Sequence, residues 1–289
     1  MVPEASGRRI AFGWYGGKFS HLAWLLPLLP EAHHYVEPFG GSAAVLLNRT
    51  PSPLETYNDL DGEVVHFFRT LRSEPEALVR AIALTPFSRR EFADALERPP
   101  RSLPDLERAR RFFVRARQAR TGLAQTATLG RWANCLSTSR QGMSGVVSRW
   151  QQSASDLPAI ADRLLRVQIE NRPAISIVRR YDAPGTLFYC DPPYVPSSRG
   201  EIKAYGFEMD EAAHGRLAEA LRACRGAVAI SGYEGELMND LYQDWHKTVG
   251  PRRTAHSVKR PRQEVLWSNY DPKDPTSPTG PRAARPRRL

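Results

Sequence analysis

The chain has 289 residues, with 41 Lys and Arg against 31 Asp and Glu, a net charge of +10, and 41% hydrophobic residues. That length supports a sizeable core in one or two domains. No apolar run is long enough to span a bilayer and no signal-peptide pattern opens the chain, while three scattered cysteines, Cys135, Cys190 and Cys224, argue against a disulfide framework or a cysteine-built zinc site. The composition therefore predicts a soluble protein of a reducing compartment, the cytoplasm, that needs neither metal nor membrane. The charge is uneven: residues 98–150 hold eleven arginines against Asp105 and Glu107, giving +9, and the remainder outside the tail is near neutral. A block so poor in compensating acids predicts a surface for a polyanion, with nucleic acid favoured over a merely solvated helix face.

In chain order, the first signal is Phe12-Gly13-Trp14-Tyr15-Gly16-Gly17-Lys18 before an apolar helical pattern at Leu22, Leu25, Leu26 and Leu29. Paired glycines before a helix let backbone N–H groups approach a ligand, and Lys18 suits a carboxylate. Taken alone, the same residues describe an aromatic-glycine turn with a surface lysine. Tyr35-Val36-Glu37-Pro38-Phe39-Gly40-Gly41-Ser42 then reads as a strand and glycine turn entering a helix over Ala43 to Leu47, the first βα unit of a nucleotide-type site. It has neither a G-x-G-x-x-G nor a P-loop, so a phosphate site is disfavoured. Glu55-Thr56-Tyr57-Asn58-Asp59 ends a second strand in an acid, where ribose hydroxyls bind in such folds, although Asp59 could equally cap the next helix.

Helices are expected over about 62–71 and 76–84, and Ser88-Arg89-Arg90-Glu91 reads as a capping box opening a third through Leu96. An Arg-rich helix follows from Asp105 to Arg120. Residues 121–150 read as a loop, and a helix resumes after Leu157 and ends near Leu165. Within the basic block Arg111, Arg115, Arg131, Arg140 and Gln141 are the candidate DNA contacts, arginine and glutamine being types that meet phosphates or base edges. A strand over 167–171 and a helix opened by Pro173 lead to Thr186-Leu187-Phe188-Tyr189-Cys190, a buried strand that runs into Asp191-Pro192-Pro193-Tyr194. Two prolines stop the ladder and fix the backbone beside a carboxylate and an aromatic face. That arrangement suits a planar ring bearing an amino group: Asp191 and a fixed carbonyl accept its hydrogens and Tyr194 stacks on it. Residues 195–208 read as a mobile loop over the site, 210–224 as an amphipathic helix, 227–231 and 263–267 as strands, and the Pro/Arg-rich tail from Asp271 as disordered.

Three acid-ended strands, at Glu37, Asp59 and Asp191, thus share one α/β sheet with Trp14, Tyr15, Phe39 and Tyr194 among them and no phosphate cradle. A ligand with an adenosine, an amino-acid part and no phosphate fits: S-adenosylmethionine. The motifs Trp14-Tyr15-Gly16-Gly17-Lys18, Val36-Glu37-Pro38-Phe39-Gly40-Gly41, Asn58-Asp59 and Asp191-Pro192-Pro193-Tyr194 together resemble the D12 class of DNA N6-adenine methyltransferases, over roughly 9–72 and 167–270. The resemblance implies a Rossmann-like methyltransferase sheet formed by 1–74 and 167–270, an inserted and mainly helical target-recognition domain at 75–166, and a basic tail at 271–289. It implies that Trp14, Tyr15, Lys18, Glu37, Phe39, Gly41, Asp59 and Asp191 serve the cofactor and that Asp191, Pro192 and Tyr194 hold a flipped adenine of double-stranded DNA. The family often has a glycine where this chain has Ala43; with a helix already begun there, a methyl group is expected to be tolerated. A monomer is expected, with a cognate restriction endonuclease as a candidate partner, in a bacterial or phage-infected cell. Cytosine-N4 DNA methylation, protein-glutamine or RNA methylation, and a non-catalytic DNA-binding protein on the same fold are the alternatives. Ser or Asn is the commoner first residue of the tetrapeptide in the related transferases, and intact Asp191 and Tyr194 speak against a non-catalytic protein.

Overall fold

A computed structural model describes residues 7–14, 16–97, 103–120, 124–136, 138–140, 142–194, 207–251 and 263–274. Helix α1 (Leu22–Leu25) sits between two 3-10 turns and precedes β1 (His34–Glu37) and β2 (Leu54–Asn58). Every residue of β1 is buried, as expected of a strand covered on both faces. Helix α2 (Gly62–Ser73) begins where the Asp61 carboxylate accepts the Glu63 N–H. Then come α3 (Pro75–Ala83), with proline in its first turn, and α4 (Arg89–Leu96), capped by Ser88 accepting from the Arg90 N–H. The expected capping-box partner, Glu91, instead turns to Arg110 on α5 (Asp105–Gln118).

Residues 121–150 are less loop-like than their polarity suggests. A two-stranded hairpin, β3 (Ser139–Arg140) with β4 (Met143–Ser144), turns through Gly142 at φ +75°. It leads directly into the 20-residue α6 (Gly145–Leu164), which carries Pro158 internally. Trp150, Ala154, Leu157, Ile160, Ala161 and Leu164 form its buried stripe, which glutamines, serines and the proline between them mask in the sequence.

The second half gives β5 (Gln168–Glu170), α7 (Ala174–Tyr181), β6 (Thr186–Cys190), α8 (Glu211–Arg222), β7 (Ala227–Tyr233), α9 (Glu236–Leu241), β8 (His246–Val249) and β9 (Glu264–Ser268). The sequence reading did not mark α9 and β8. Seven strands form one sheet in the order β5-β2-β1-β6-β7-β9-β8. All contacts are parallel except those of β9, which is antiparallel to both β7 and β8. This is the doubly wound order, with one reversed strand set between its last two parallel strands. The Rossmann-like reading is thereby met, and the carboxyl ends of β1, β2 and β6 lie side by side.

The helix expected at Ala43 to Leu47 does not form. Residues 41–49 are successive turns, and both Gly41 (φ +48°) and Ala43 (φ +56°) are left-handed. The chain must reverse tightly over Gly40, whose N–H donates to the Asn58 carbonyl at 2.7 Å while its own carbonyl accepts from Ala43. Ala43 thus carries backbone strain at the spot where its methyl was expected to ride on a helix.

One face of the sheet shares a continuous core with the helices. Tyr35 and Tyr57 belong to the same cluster as Phe67, Phe112, Phe113, Trp150 and Leu157. Phe12 links them, its ring 5.5 Å from Phe67 and 5.2 Å from Phe112. The other face packs Val36, Phe188, Val228 and Trp267 against Ile177 and Leu217. Among the described residues no helix is long and apolar enough to cross a membrane, and no group of three or more His, Cys, Asp or Glu could hold a metal.

Candidate active site

The glycine turn after β1 builds the first wall. Gly40 has room for no side chain, since a Cβ there would lie 2.1 Å from the Tyr57 ring. Gly41 packs against the Trp14 indole, which a Cβ would meet at 2.8 Å. The Tyr57 hydroxyl donates to the Gly41 carbonyl (2.7 Å), and the Gly41 N–H donates to Asp59 Oδ2 (2.8 Å). Asp59 Oδ1 accepts from the Asp61 N–H at 2.8 Å. Asp59 therefore braces the turn and leaves capping of α2 to Asp61. Burial pushes its pKa up to about 6, against the pull of those amides. Glu37, at the end of β1, accepts the Tyr35 hydroxyl at 2.6 Å, and burial pushes its pKa up to about 8. These residues open on a cleft of about 250 Å³ shared by Trp14, Lys18, Glu37, Phe39, Gly41, Asp59 and Asp191. Tyr15 lies outside the described residues.

The second wall is made by Asp191 and Pro193 of Asp191-Pro192-Pro193-Tyr194, at the end of β6. Lys18 is 3% exposed, and its Nζ stands 2.7 Å from both Asp191 oxygens, 2.8 Å from the Gly16 carbonyl and 3.3 Å from Glu264 Oε1. Burial works against the ammonium, but Asp191 and Glu264 outweigh it and raise its pKa. Ser231 donates to Asp191 Oδ1 at 3.0 Å. Oδ1 therefore meets two partners, whereas Oδ2 meets Lys18. The Tyr194 hydroxyl donates to Glu264, its ring lies 4.9 Å from the Lys18 ammonium, and Tyr233 meets that ring edge-on at 4.6 Å. His214 Nε2 lies 3.0 Å from the Pro193 carbonyl oxygen.

The structure thus brings together Trp14, Lys18, Glu37, Phe39, Gly41, Asp59 and Asp191 in one cleft, while Pro192 and Tyr194 line a neighbouring one with Ser231 and Tyr233, joined to the first through Lys18. Lys18 sits on the Asp191 carboxylate. Sequence reasoning missed Glu264, Ser231, Tyr233 and His214. The one available signal was polarity in apolar company: Glu264 precedes Val265-Leu266-Trp267 and Ser231 follows Ala227-Val228-Ala229-Ile230.

The basic candidates divide. Arg111 is bonded to Glu107 and to the Asp94 carbonyl, and Arg115 to Glu63 and the Ala95 carbonyl. Both guanidinium groups fasten helices to one another. Arg131 closes a 3-10 turn, Arg140 is exposed on β3, and Gln141 lies outside the described residues. A cleft unmarked by the sequence reading lies between α5 and α6, where Arg117, Arg120 and Arg149 meet Gly13 and Asn134. Arg117 donates to the Arg149 carbonyl at 3.1 Å, and burial, then the Arg149 charge, lower its pKa to about 10.

The chain matches the family described as D12 class N6 adenine-specific DNA methyltransferase over residues 14–260. It is 24% identical over 276 residues to a DNA N-6-adenine-methyltransferase of Escherichia phage P1, covering 89% of this chain and 34% of that protein, so it spans about a third of that relative's length. A DNA adenine methylase of Vibrio cholerae is 25% identical over 82% of this chain and 85% of its own. One from Salmonella typhimurium is 24% identical over 90% of this chain and 94% of its own. A solved rRNA methyltransferase from Streptomyces viridochromogenes aligns over 91% of this chain and 85% of its own at 13% identity and a TM-score of 0.34, a likeness too distant to bear on the site. With the match running through both walls of the cleft, the chain belongs to the D12 class of N6 adenine-specific DNA methyltransferases.

Proposed function

We propose that this protein transfers a methyl group from S-adenosylmethionine to the N6 of an adenine flipped out of double-stranded DNA. The observation that carries this reading is Asp191, a carboxylate fixed by Lys18 and Ser231 beside the Tyr194 ring, at the edge of a cleft without a phosphate cradle. The residues present fit the cofactor. Trp14 and Phe39 offer flat apolar surface, Glu37 and Asp59 offer acceptors, and the close approach at Gly41 keeps the turn narrow. Each Asp59 oxygen already takes one N–H but can accept a second hydrogen, from ribose hydroxyls. When bound, S-adenosylmethionine supplies an electrophilic methyl on its sulfonium.

The chain's own part is to present the amino nitrogen. Flipping the base costs a few kcal/mol. Stacking on Tyr194 returns about 1–3 kcal/mol. Asp191 Oδ2, the less occupied oxygen, and the Pro192 carbonyl accept the two N6 hydrogens, which draws the nitrogen lone pair out of conjugation with the ring. Held by Lys18 and Ser231, Asp191 is a fixed acceptor, and its work is orientation. The exposed Arg140, the half-buried Arg131 and the Arg117–Arg120–Arg149 cleft supply phosphate contacts, while Arg111 and Arg115 hold the helices that carry them. The catalytic unit is 1–74 with 167–270, the recognition unit 75–166, and the basic tail 271–289. The protein acts as a monomer in the cytoplasm of a bacterial or phage-infected cell, where a cognate restriction endonuclease is the candidate partner.

Labelled methyl transfer to duplex DNA, followed by nucleoside analysis, tests the reading. N6-methyladenine is the expected product. Label in N4-methylcytosine, or none in DNA, refutes it.

A further inference from the structure

We propose that Glu264 is a positioning residue for methyl transfer, fixing the Tyr194 ring and the Lys18 ammonium in the places that receive the flipped adenine. This role rests on the methylation reading above. Its starting point is an anomaly: β9 is buried throughout, and Val265, Leu266 and Trp267 obey its apolar rule, yet Glu264 opens it with a carboxylate that is 3% exposed. A buried carboxylate is costly unless its oxygens are paired. Among the described residues, the pairs its carboxylate makes lie in the active site. It accepts from the Tyr194 hydroxyl, and its Oε1 stands 3.3 Å from Lys18 Nζ. In the sheet it is directly opposite Tyr233, whose ring meets Tyr194 edge-on.

Two consequences follow. First, the Tyr194 ring is held at both ends, by the Pro-Pro backbone and by its hydroxyl, so it cannot swing about its side-chain torsions when a base arrives. Stacking on a ring already in place spares the base the ordering of that ring. Second, Lys18 has an acceptor besides Asp191. As the adenine amino group takes up Asp191, the ammonium can lean towards Glu264 and stay in the pocket, where its charge still acts on Asp191. Glu264 touches no reacting atom and acts through these two groups.

The test is a double-mutant cycle of Glu264→Gln, Tyr194→Phe and the pair, read by kcat and KM for an adenine-containing duplex, with cofactor affinity and thermal melting as controls. Glu264→Gln keeps the shape and an acceptor oxygen, so the fold is preserved, and Glu264→Asp serves as the conservative rescue. Expected is a fall in kcat of roughly 10- to 100-fold for Glu264→Gln. Cofactor affinity stays near wild type, Glu264→Asp recovers part of the loss, and the double variant is no slower than the slower single one. Multiplicative losses in the double variant, wild-type turnover of Glu264→Gln, or loss of cofactor binding along with turnover would overturn the role. Fluorescence of 2-aminopurine at the target position reads pocket occupancy without turnover and is expected to differ between wild type and Glu264→Gln. If the wild type methylates adenine but these signs fail, only the Glu264 role falls. If the wild type neither methylates adenine nor changes the probe, the methylation reading and the role fall together.

Discussion

Replacing Asp191 by Asn probes the centre of the site with almost no change of shape. The carboxylate now takes Lys18 on both oxygens at 2.7 Å and Ser231 on one at 3.0 Å. An amide has one oxygen, and the Lys18 ammonium will claim it. The NH2 group then faces either Ser231, whose hydroxyl can turn to accept it, or the incoming adenine amino group, where donor meets donor. The transition state loses a charge-assisted hydrogen bond, worth about 1.5–3 kcal/mol, and gains an unsatisfied donor at about 1–3 kcal/mol. Taking about 3–5 kcal/mol together, at about 1.4 kcal/mol per tenfold, kcat should fall on the order of 10²–10³-fold or somewhat more. Cofactor affinity should survive in part, because the wall made by Trp14, Phe39, Gly41 and Asp59 is untouched. Single-turnover transfer of labelled methyl at saturating DNA, with calorimetric titration of the cofactor, measures both. Turnover near wild type would refute the claim that Asp191 orients the amino group.

Three further outcomes are expected. Glu37 has its folded pKa raised from 4.5 to about 8, so its neutral form is the one the fold prefers; the stability it contributes is whole below its unfolded pKa and is lost as pH rises through about 8. Denaturant titrations at pH 5 and pH 8.5 should differ on the order of 4 kcal/mol in the wild type and far less in Glu37→Gln, and equal slopes for the two proteins would refute the assignment. Gly40→Ala drives a methyl into the Tyr57 ring at 2.1 Å, so melting should fall by several degrees and cofactor binding with it; unchanged melting would show that the turn yields. Arg117→Ala with Arg149→Ala should weaken DNA binding across all sequences and flatten the log–log salt slope by about 1–2, as read by fluorescence anisotropy, whereas an unchanged slope would exclude phosphate from that cleft.

The tetrapeptide at Asp191 was legible because two prolines and a buried strand leave its backbone little choice. Most of the sheet was legible for a similar local reason, its inner strands being short buried runs with an acid or a turn at the end, whereas β8, His246-Lys247-Thr248-Val249 and half exposed, left no such mark. What escaped depends on distance along the chain. Lys18 meets Asp191 across 173 residues, and Glu264 meets Tyr194 across 70, so neither pair leaves a local trace. Arg111 and Arg115 looked like open charges because Glu63 and the carbonyls of Asp94 and Ala95, which take up their donors, come from other helices. Ala43 misled in the opposite sense: an apolar run with good helix formers is broken into turns by the demands of Gly40, Tyr57 and Asn58 around it. Helix α6 hid because its buried stripe is spaced among polar residues and a proline.

The aromatic core common to sheet and helices bears on whether residues 75–166 can be exchanged as a unit. Phe12 packs on Phe112, Phe67 on Phe112 and Phe113, and Phe113 in turn on Trp150. A segment rooted this way is no exchangeable cassette. Grafting residues 75–166 from a relative would have to reproduce the ring packing of the host or forfeit the fold of the catalytic sheet. Variation is cheapest where no core is at stake, on the exposed hairpin at Arg140, so changes to this part of the chain should leave the helices in place and begin there.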